Sequence, residues 1–142
     1  MRLLRSLWVA ALVLQASAMA LAQSRVALVI GNADYARSPL KNPTNDAKDF
    51  ANSLRGYGFT VLERTNLTTK QIGPTLREFR SKLSPGSVAV VFYAGHGLQI
   101  KGENYLPAVD ADIHGEEDVP TQSMSTRQSV SYTHLRAHET RE

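Results

Sequence analysis

The residue best suited to chemistry in this chain is His96, which stands between two glycines in the run Tyr93-Ala94-Gly95-His96-Gly97. An imidazole takes up and releases protons near neutral pH, so it can serve as a general base or a general acid. Glycine on either side permits unusual backbone angles and lets a substrate approach closely. Spacing alone leaves an equal alternative, a loop histidine satisfied by a backbone carbonyl. The other histidines carry less. His134 and His138 have the four-residue spacing of metal-binding helices, but they lie in a C-terminal segment of foreign character. His114 precedes Gly115-Glu116-Glu117-Asp118, which reads as a solvated acidic loop before it reads as a cation site. No metal site is expected. Gly31-Asn32 lacks the further glycines of a dinucleotide fingerprint, which argues against a nucleotide cofactor. No Gly-x-Ser-x-Gly turn is present to make a Ser-His hydrolase, and the chain contains no cysteine.

A histidine so placed needs rigid elements to hold it. Residues 26–30 form a continuous apolar run closed by Gly31-Asn32, as in a strand buried on both faces. Asn42 as cap and Pro43 at the first position open a helix in which Ala47, Phe50, Ala51 and Leu54 recur at three- and four-residue spacing until Gly56 and Gly58. Residues 59–62 make a second strand. Thr68 with Gln71 reads as a capping box for a helix carrying Ile72, Leu76, Phe79 and Leu83, with Pro74 tolerated because it lies early. Ser84-Pro85-Gly86 is a turn, and residues 88–93 are the most apolar strand of all. Strands and helices alternating in this order imply right-handed crossovers and a parallel sheet covered on both faces. Residues 98–100 and 105–107 are then expected to form a short hairpin about Lys101-Gly102 on the same edge, and residues 110–124 an acidic loop. In open parallel sheets, catalytic groups gather beyond the carboxyl ends of the strands. Residues 32–46 and 93–97 occupy that rim.

Neither end of the chain fits this pattern. A basic start with Arg2 and Arg5, an apolar stretch over residues 7–14 and the exit Ala20-Leu21-Ala22 read as a secretory signal peptide over residues 1–22. Gln15 and Ser17 interrupt a run already too short to span a bilayer, which disfavours an uncleaved anchor. The protein is therefore expected to be exported, periplasmic or extracellular, and free of the membrane after cleavage. Arg2 and Arg5 supply two of the net +3 charges. No basic stripe with interleaved aromatics remains for nucleic acid. Without cysteine, an exported domain must hold itself together by burial and hydrogen bonding alone. Residues 129–142, SVSYTHLRAHETRE, are polar and without periodicity, and VSYTHLRAHET resembles the translated reading of a sequencing adapter. They are expected to be a non-native or disordered tail, which leaves residues 23–128 as the domain.

The runs RVALVIGNADY, PLKNPTNDA, GFTV, VAVVFYAGHG and ENYLPAVDA together resemble the large-subunit region of caspase-like cysteine peptidases of the bacterial and metacaspase type, over nearly all of residues 25–112. The resemblance implies a caspase-like, Rossmann-like α/β sandwich with a mostly parallel sheet, incomplete at the C-terminus. It implies a peptide or protein substrate cleaved by a Cys-His dyad, in which His96 pairs with a cysteine thiolate at the end of the next core strand and passes a proton to the leaving amine. The backbone N–H of Gly97 would join an oxyanion hole, where losing one donor costs roughly a hundredfold or more in rate. Asp46 would line a pocket for Arg or Lys just before the cleaved bond, although a carboxylate in the first turn of a helix is also favoured by the helix dipole. By the caspase spacing the nucleophile falls about 50 residues beyond the histidine, past Glu142. The chain as it stands is therefore expected to be inactive and to leave an open sheet edge. No cofactor is implied; some metacaspases are activated by calcium, but nothing in this chain indicates it. The rival reading is a non-catalytic pseudopeptidase that uses the fold as a binding module.

Overall fold

The computed structural model describes residues 23–129; the expected signal peptide and the pair His134 and His138 lie outside the described residues. Strand β1, Arg25–Gly31, has parallel neighbours on both sides, β2 (Thr60–Thr65) and β3 (Val88–Ala94), in the order β2-β1-β3. Alternate residues of β1 feed two apolar layers. Val26, Leu28 and Ile30 face helix α2, Thr69–Ser81, through Leu76 and Phe79. Ala27 and Val29 face helix α1, Pro43–Gly56, through Ala47, Ala51 and Leu54. The unbroken apolar run of β1 thus reflects a strand covered from both sides, and the fold is α/β as expected. Leu28, Ile30 and Phe79 are 0% exposed, and burial of such a side chain contributes roughly 1.5–3 kcal/mol. Among the described residues, no helix is long and apolar enough to cross a membrane.

Glycine is required where β1 gives way to α1. A Cβ on Gly31 would overlap the Pro43 carbonyl oxygen and come within 2.7 Å of the Ala47 Cβ. Asn42 stands at the N-cap of α1, but its side chain makes no capping hydrogen bond. Instead its carbonyl accepts the Asp46 N–H at 2.9 Å, and Pro43 has no N–H to satisfy. At α2 the expected cap is present: the N–H and hydroxyl of Thr68 both donate to Gln71 Oε1 at 2.9 Å.

Two expectations need correction. The hairpin forms, from β4 (Leu98–Ile100) and β5 (Glu103–Pro107), with Lys101 at φ 50° and Gly102 at φ 78° making its turn. It does not extend the parallel sheet, however. It joins β6, Ser123–Ser125, in a separate antiparallel sheet of order β4-β5-β6. The segment expected as loop therefore contains a strand, together with a 3-10 turn at Glu116–Asp118 and a short helix α3 at Val119–Gln122. Three residues are too few to carry a periodic signal, and β6 exists because β5 supplies its hydrogen bonds. Its Met124 is 2% exposed and packs into the same apolar layer as Leu28 and Phe79. Along β3 every residue is only half-buried, and among the described residues β3 pairs with β1 alone.

Candidate active site

Strands β1 and β3 end level with each other, Ile30 opposite Tyr93 and Gly31 opposite Ala94. The Asn32 N–H continues the ladder to the Ala94 carbonyl at 2.8 Å. The chain leaves β1 for α1 on one face of the sheet, whereas α2, which follows β2 and leads to β3, covers the other, and a crevice opens at the carboxyl end of β1. Loop residues 32–42 form one lip, and Gly95 with His96 reaches it from β3. Two side-chain amides fasten this rim. Asn32, 1% exposed, accepts the Leu67 N–H at 2.8 Å and donates to the Pro107 carbonyl at 3.1 Å. Asn66 accepts the N–H groups of Ala33 and Asp34 at 2.9 and 3.1 Å and donates to the Asp34 carboxylate at 2.6 Å.

His96 is half-buried, and its Nε2 lies 2.8 Å from the Ser38 carbonyl oxygen. A carbonyl only accepts, so Nε2 carries the hydrogen, and in the neutral ring Nδ1 is left with the lone pair. The Tyr35 ring stands beside the imidazole, centroids 4.5 Å apart at 57°. The His96 N–H donates to the Tyr35 hydroxyl at 3.1 Å, and the Tyr93 hydroxyl donates to the His96 carbonyl at 2.9 Å. The two phenol oxygens are 2.8 Å apart. Burial pushes the Tyr93 phenol well above its ordinary range.

The two glycines beside His96 differ. A Cβ on Gly95 would lie 2.6 Å from the Tyr93 hydroxyl oxygen and 2.7 Å from that of Tyr35. At Gly97 a Cβ would meet nothing nearer than the Tyr105 carbonyl at 4.0 Å, and Gly97 has no positive φ. Within the fold, close approach dictates Gly95, whereas Gly97 faces open space.

His96 borders a cleft of about 340 Å³ whose walls are Tyr35, Arg37 and Ser38 on one side and residues 107–113 on the other. Two carboxylates belong to it. Asp110 accepts both the N–H and the hydroxyl of Thr69, at 2.7 and 2.9 Å, and so closes the start of α2. Asp112 meets Arg37 at 3.5 Å, both side chains largely exposed. Asp46 is exposed on the first turn of α1 and does not line this cleft. His114 lies 3.1 Å from Asp112 through Nε2, while its N–H and that of Gly115 hold the Asp118 carboxyl below the usual range. Among the described residues, no group of three or more His, Asp or Glu gathers as metal ligands. Sequence reasoning missed Ser38 and Tyr35. Ser38 acts through a carbonyl, which every residue has, and Tyr35 was visible only as the end of a motif.

This arrangement can take up a proton at Nδ1 of His96 and stabilise the resulting imidazolium at Nε2, beside a cavity of side-chain size. The family described as "Caspase domain" matches residues 24–136. The human protein "Mucosa-associated lymphoid tissue lymphoma translocation protein 1" is 37% identical over 92 residues, which cover 64% of this chain and 11% of that protein. The mouse homolog matches with the same identity and coverage. The chain therefore spans only 11% of the length of these curated relatives.

Proposed function

Because this chain belongs to the caspase-domain family and has an α/β fold of that class, we propose that it supplies the histidine half of a cysteine-type endopeptidase, with His96 as the base. The observation that carries this reading is the place of His96 on the wall of the cleft at the carboxyl end of the sheet, since a satisfied loop histidine would make the same 2.8 Å contact of Nε2 with the Ser38 carbonyl. That contact leaves Nδ1 as the working nitrogen beside the cleft. A thiol facing Nδ1 gives up its proton there and attacks the substrate carbonyl carbon. His96 then returns the proton to the departing amine as the peptide bond breaks. Through both steps Ser38 compensates the charge on the ring. The Gly97 N–H serves as one donor to the oxyanion, where charge develops only as the tetrahedral species forms.

The half-covered state of β3 supports the location of the missing thiol. A strand paired parallel to β3 on its free side would end level with Ala94, next to His96. No cysteine occurs among the 142 residues, so this chain alone is inert. Asp46 stands outside the cleft beside His96, on the first turn of α1, and its charge favours Arg or Lys before the cleaved bond where the substrate reaches past that cleft to α1. Residues 1–22 direct export, and cleavage leaves Gln23 as the first residue. The absence of cysteine also keeps the pseudopeptidase reading alive, in which the cleft binds a peptide without cutting it.

The test is the product of the source gene read onward through the strand that would follow. Incubated with fluorogenic peptides ending in Arg, Lys or Asp, it should cleave the basic ones, and the 142-residue chain should cleave none. His96→Ala should lower the rate by about 100-fold or more. Asp46→Ala should erase the basic preference with a smaller loss. A full-length protein with Ser, Tyr or Gly at that strand end, or an unchanged rate in His96→Ala, defeats the peptidase assignment.

A further inference from the structure

Deepening that reading and resting on it, we propose that Tyr35 and Tyr93 are positioning residues for His96. Their hydroxyls close a hydrogen-bonded ring through the backbone of His96, holding the imidazole with Nε2 on Ser38 and Nδ1 available to the reaction. The hydrogens assign themselves. Tyr93 has one hydroxyl hydrogen, and two carbonyls that can only accept lie within its reach, His96 at 2.9 Å and Pro107 at 3.3 Å. That hydrogen is therefore spent on a carbonyl, and in the 2.8 Å contact between the phenols Tyr35 must donate. The Tyr35 oxygen is then free to accept the His96 N–H, as the 3.1 Å contact shows. The ring runs from the His96 N–H to Tyr35, from Tyr35 to Tyr93, and from Tyr93 back to the His96 carbonyl. An amide can only donate, so the direction cannot reverse.

Three further features serve the same ring. Gly95 has no side chain where a Cβ would stand 2.6–2.7 Å from the two hydroxyl oxygens. Tyr35 lies flanking the imidazole as well as bonding its backbone. Tyr35 also belongs to the loop that carries Ser38, so one short segment grips His96 at both its main chain and its ring nitrogen. The loop after β1 and the end of β3 are thereby locked together around the histidine.

Phenylalanine keeps the rings and deletes the hydroxyls, which separates positioning from mere space filling. In the full chain labelled with ¹⁵N, the imidazole nitrogen shifts of His96 report its tautomer, and amide exchange reports its backbone. Tyr35→Phe and Tyr93→Phe should each speed exchange of the His96 amide by about tenfold, the worth of one hydrogen bond, and shift the tautomer away from Nε2–H. Leu28 should keep its protection, and Tyr57→Phe, at a side chain 71% exposed, should change nothing. Phe variants that leave His96 exchange within about twofold of the parent, with the tautomer unmoved, overturn the proposal. A variant that fails to fold does not end the test, because the parent offers a second readout. Its Tyr35 and Tyr93 hydroxyl protons should exchange more slowly than that of Tyr57, and equal rates overturn the ring. These measurements need neither thiol nor substrate. A full-length protein that cleaves nothing would remove the peptidase reading and leave the ring measured, and a negative result here would remove the ring alone.

Discussion

Asn32 and Pro107 lie 75 residues apart in the chain, yet the Asn32 side chain donates to the Pro107 carbonyl at 3.1 Å in a buried setting. The same carbonyl is 3.3 Å from the Tyr93 hydroxyl. The parallel sheet and the small antiparallel sheet are therefore joined by polar contacts immediately behind His96, where an apolar contact would allow sliding.

Asn32→Ala should expose how much this joint matters. It leaves the Leu67 N–H and the Pro107 carbonyl short of a partner, and a buried group so stranded costs about 1–3 kcal/mol. Urea unfolding should show a lower midpoint with an unchanged slope. An unmoved midpoint would mean that water replaces the amide.

Two glycines of one helix connection should respond in opposite directions. Gly31→Ala pushes a methyl group into the backbone of α1 and should destabilise by roughly 1–3 kcal/mol. Gly56→Ala meets nothing within 4 Å and should be neutral or stabilising by up to about 1 kcal/mol. Thermal melts of the pair check both, and a stable Gly31→Ala would show that α1 does not press on β1 as described.

Alkaline stability should carry the mark of Tyr93. Its phenol is raised by burial, so above about pH 10 the unfolded chain loses that proton while the folded chain keeps it. The stabilisation is complete below the unfolded value and declines as pH rises beyond it, by at most about 1.4 kcal/mol per pH unit for one proton. Melting temperature measured from pH 8 to 11.5 should fall late in the series, and Tyr93→Phe should flatten that fall. Identical curves would argue against a buried phenol.

On the acid side, Glu103 should contribute. The Ser125 hydroxyl above all, helped by the Arg127 amide and guanidinium, holds its carboxyl below the usual range. A lowered folded value means stability that is present above the ordinary carboxylate pKa and lost as pH falls through the folded one. Glu103→Gln should therefore lose less stability than the parent between pH 6 and pH 3, a difference visible by circular dichroism. Parallel losses would disprove a role for this carboxylate.

The α/β layer was readable because its elements announce a period. Residues 26–30 are apolar without a break, Ala47, Ala51 and Leu54 repeat as a helix stripe, and Thr68 with Gln71 marks a helix start. Strand β6 was not readable, since Ser123, Met124 and Ser125 become a strand only through β5. Within the site, His96 stood out as a glycine-flanked histidine at a strand end. Which carbonyl would meet its Nε2 depends on where a loop falls after folding, and side-chain chemistry says nothing of that. The first-turn position of Asp46 follows from Pro43, and its separation from the cleft beside His96 follows from the course of α1.

Met124 sits on a strand of three residues, but its side chain is sealed in the layer that contains Phe79. Peeling β6 from β5 would draw that thioether into water and vacate a place in the main core, so the small sheet has no independent melting of its own. The spacing between the lips of the crevice is consequently decided when the whole molecule folds, and a guest finds an opening of preset width.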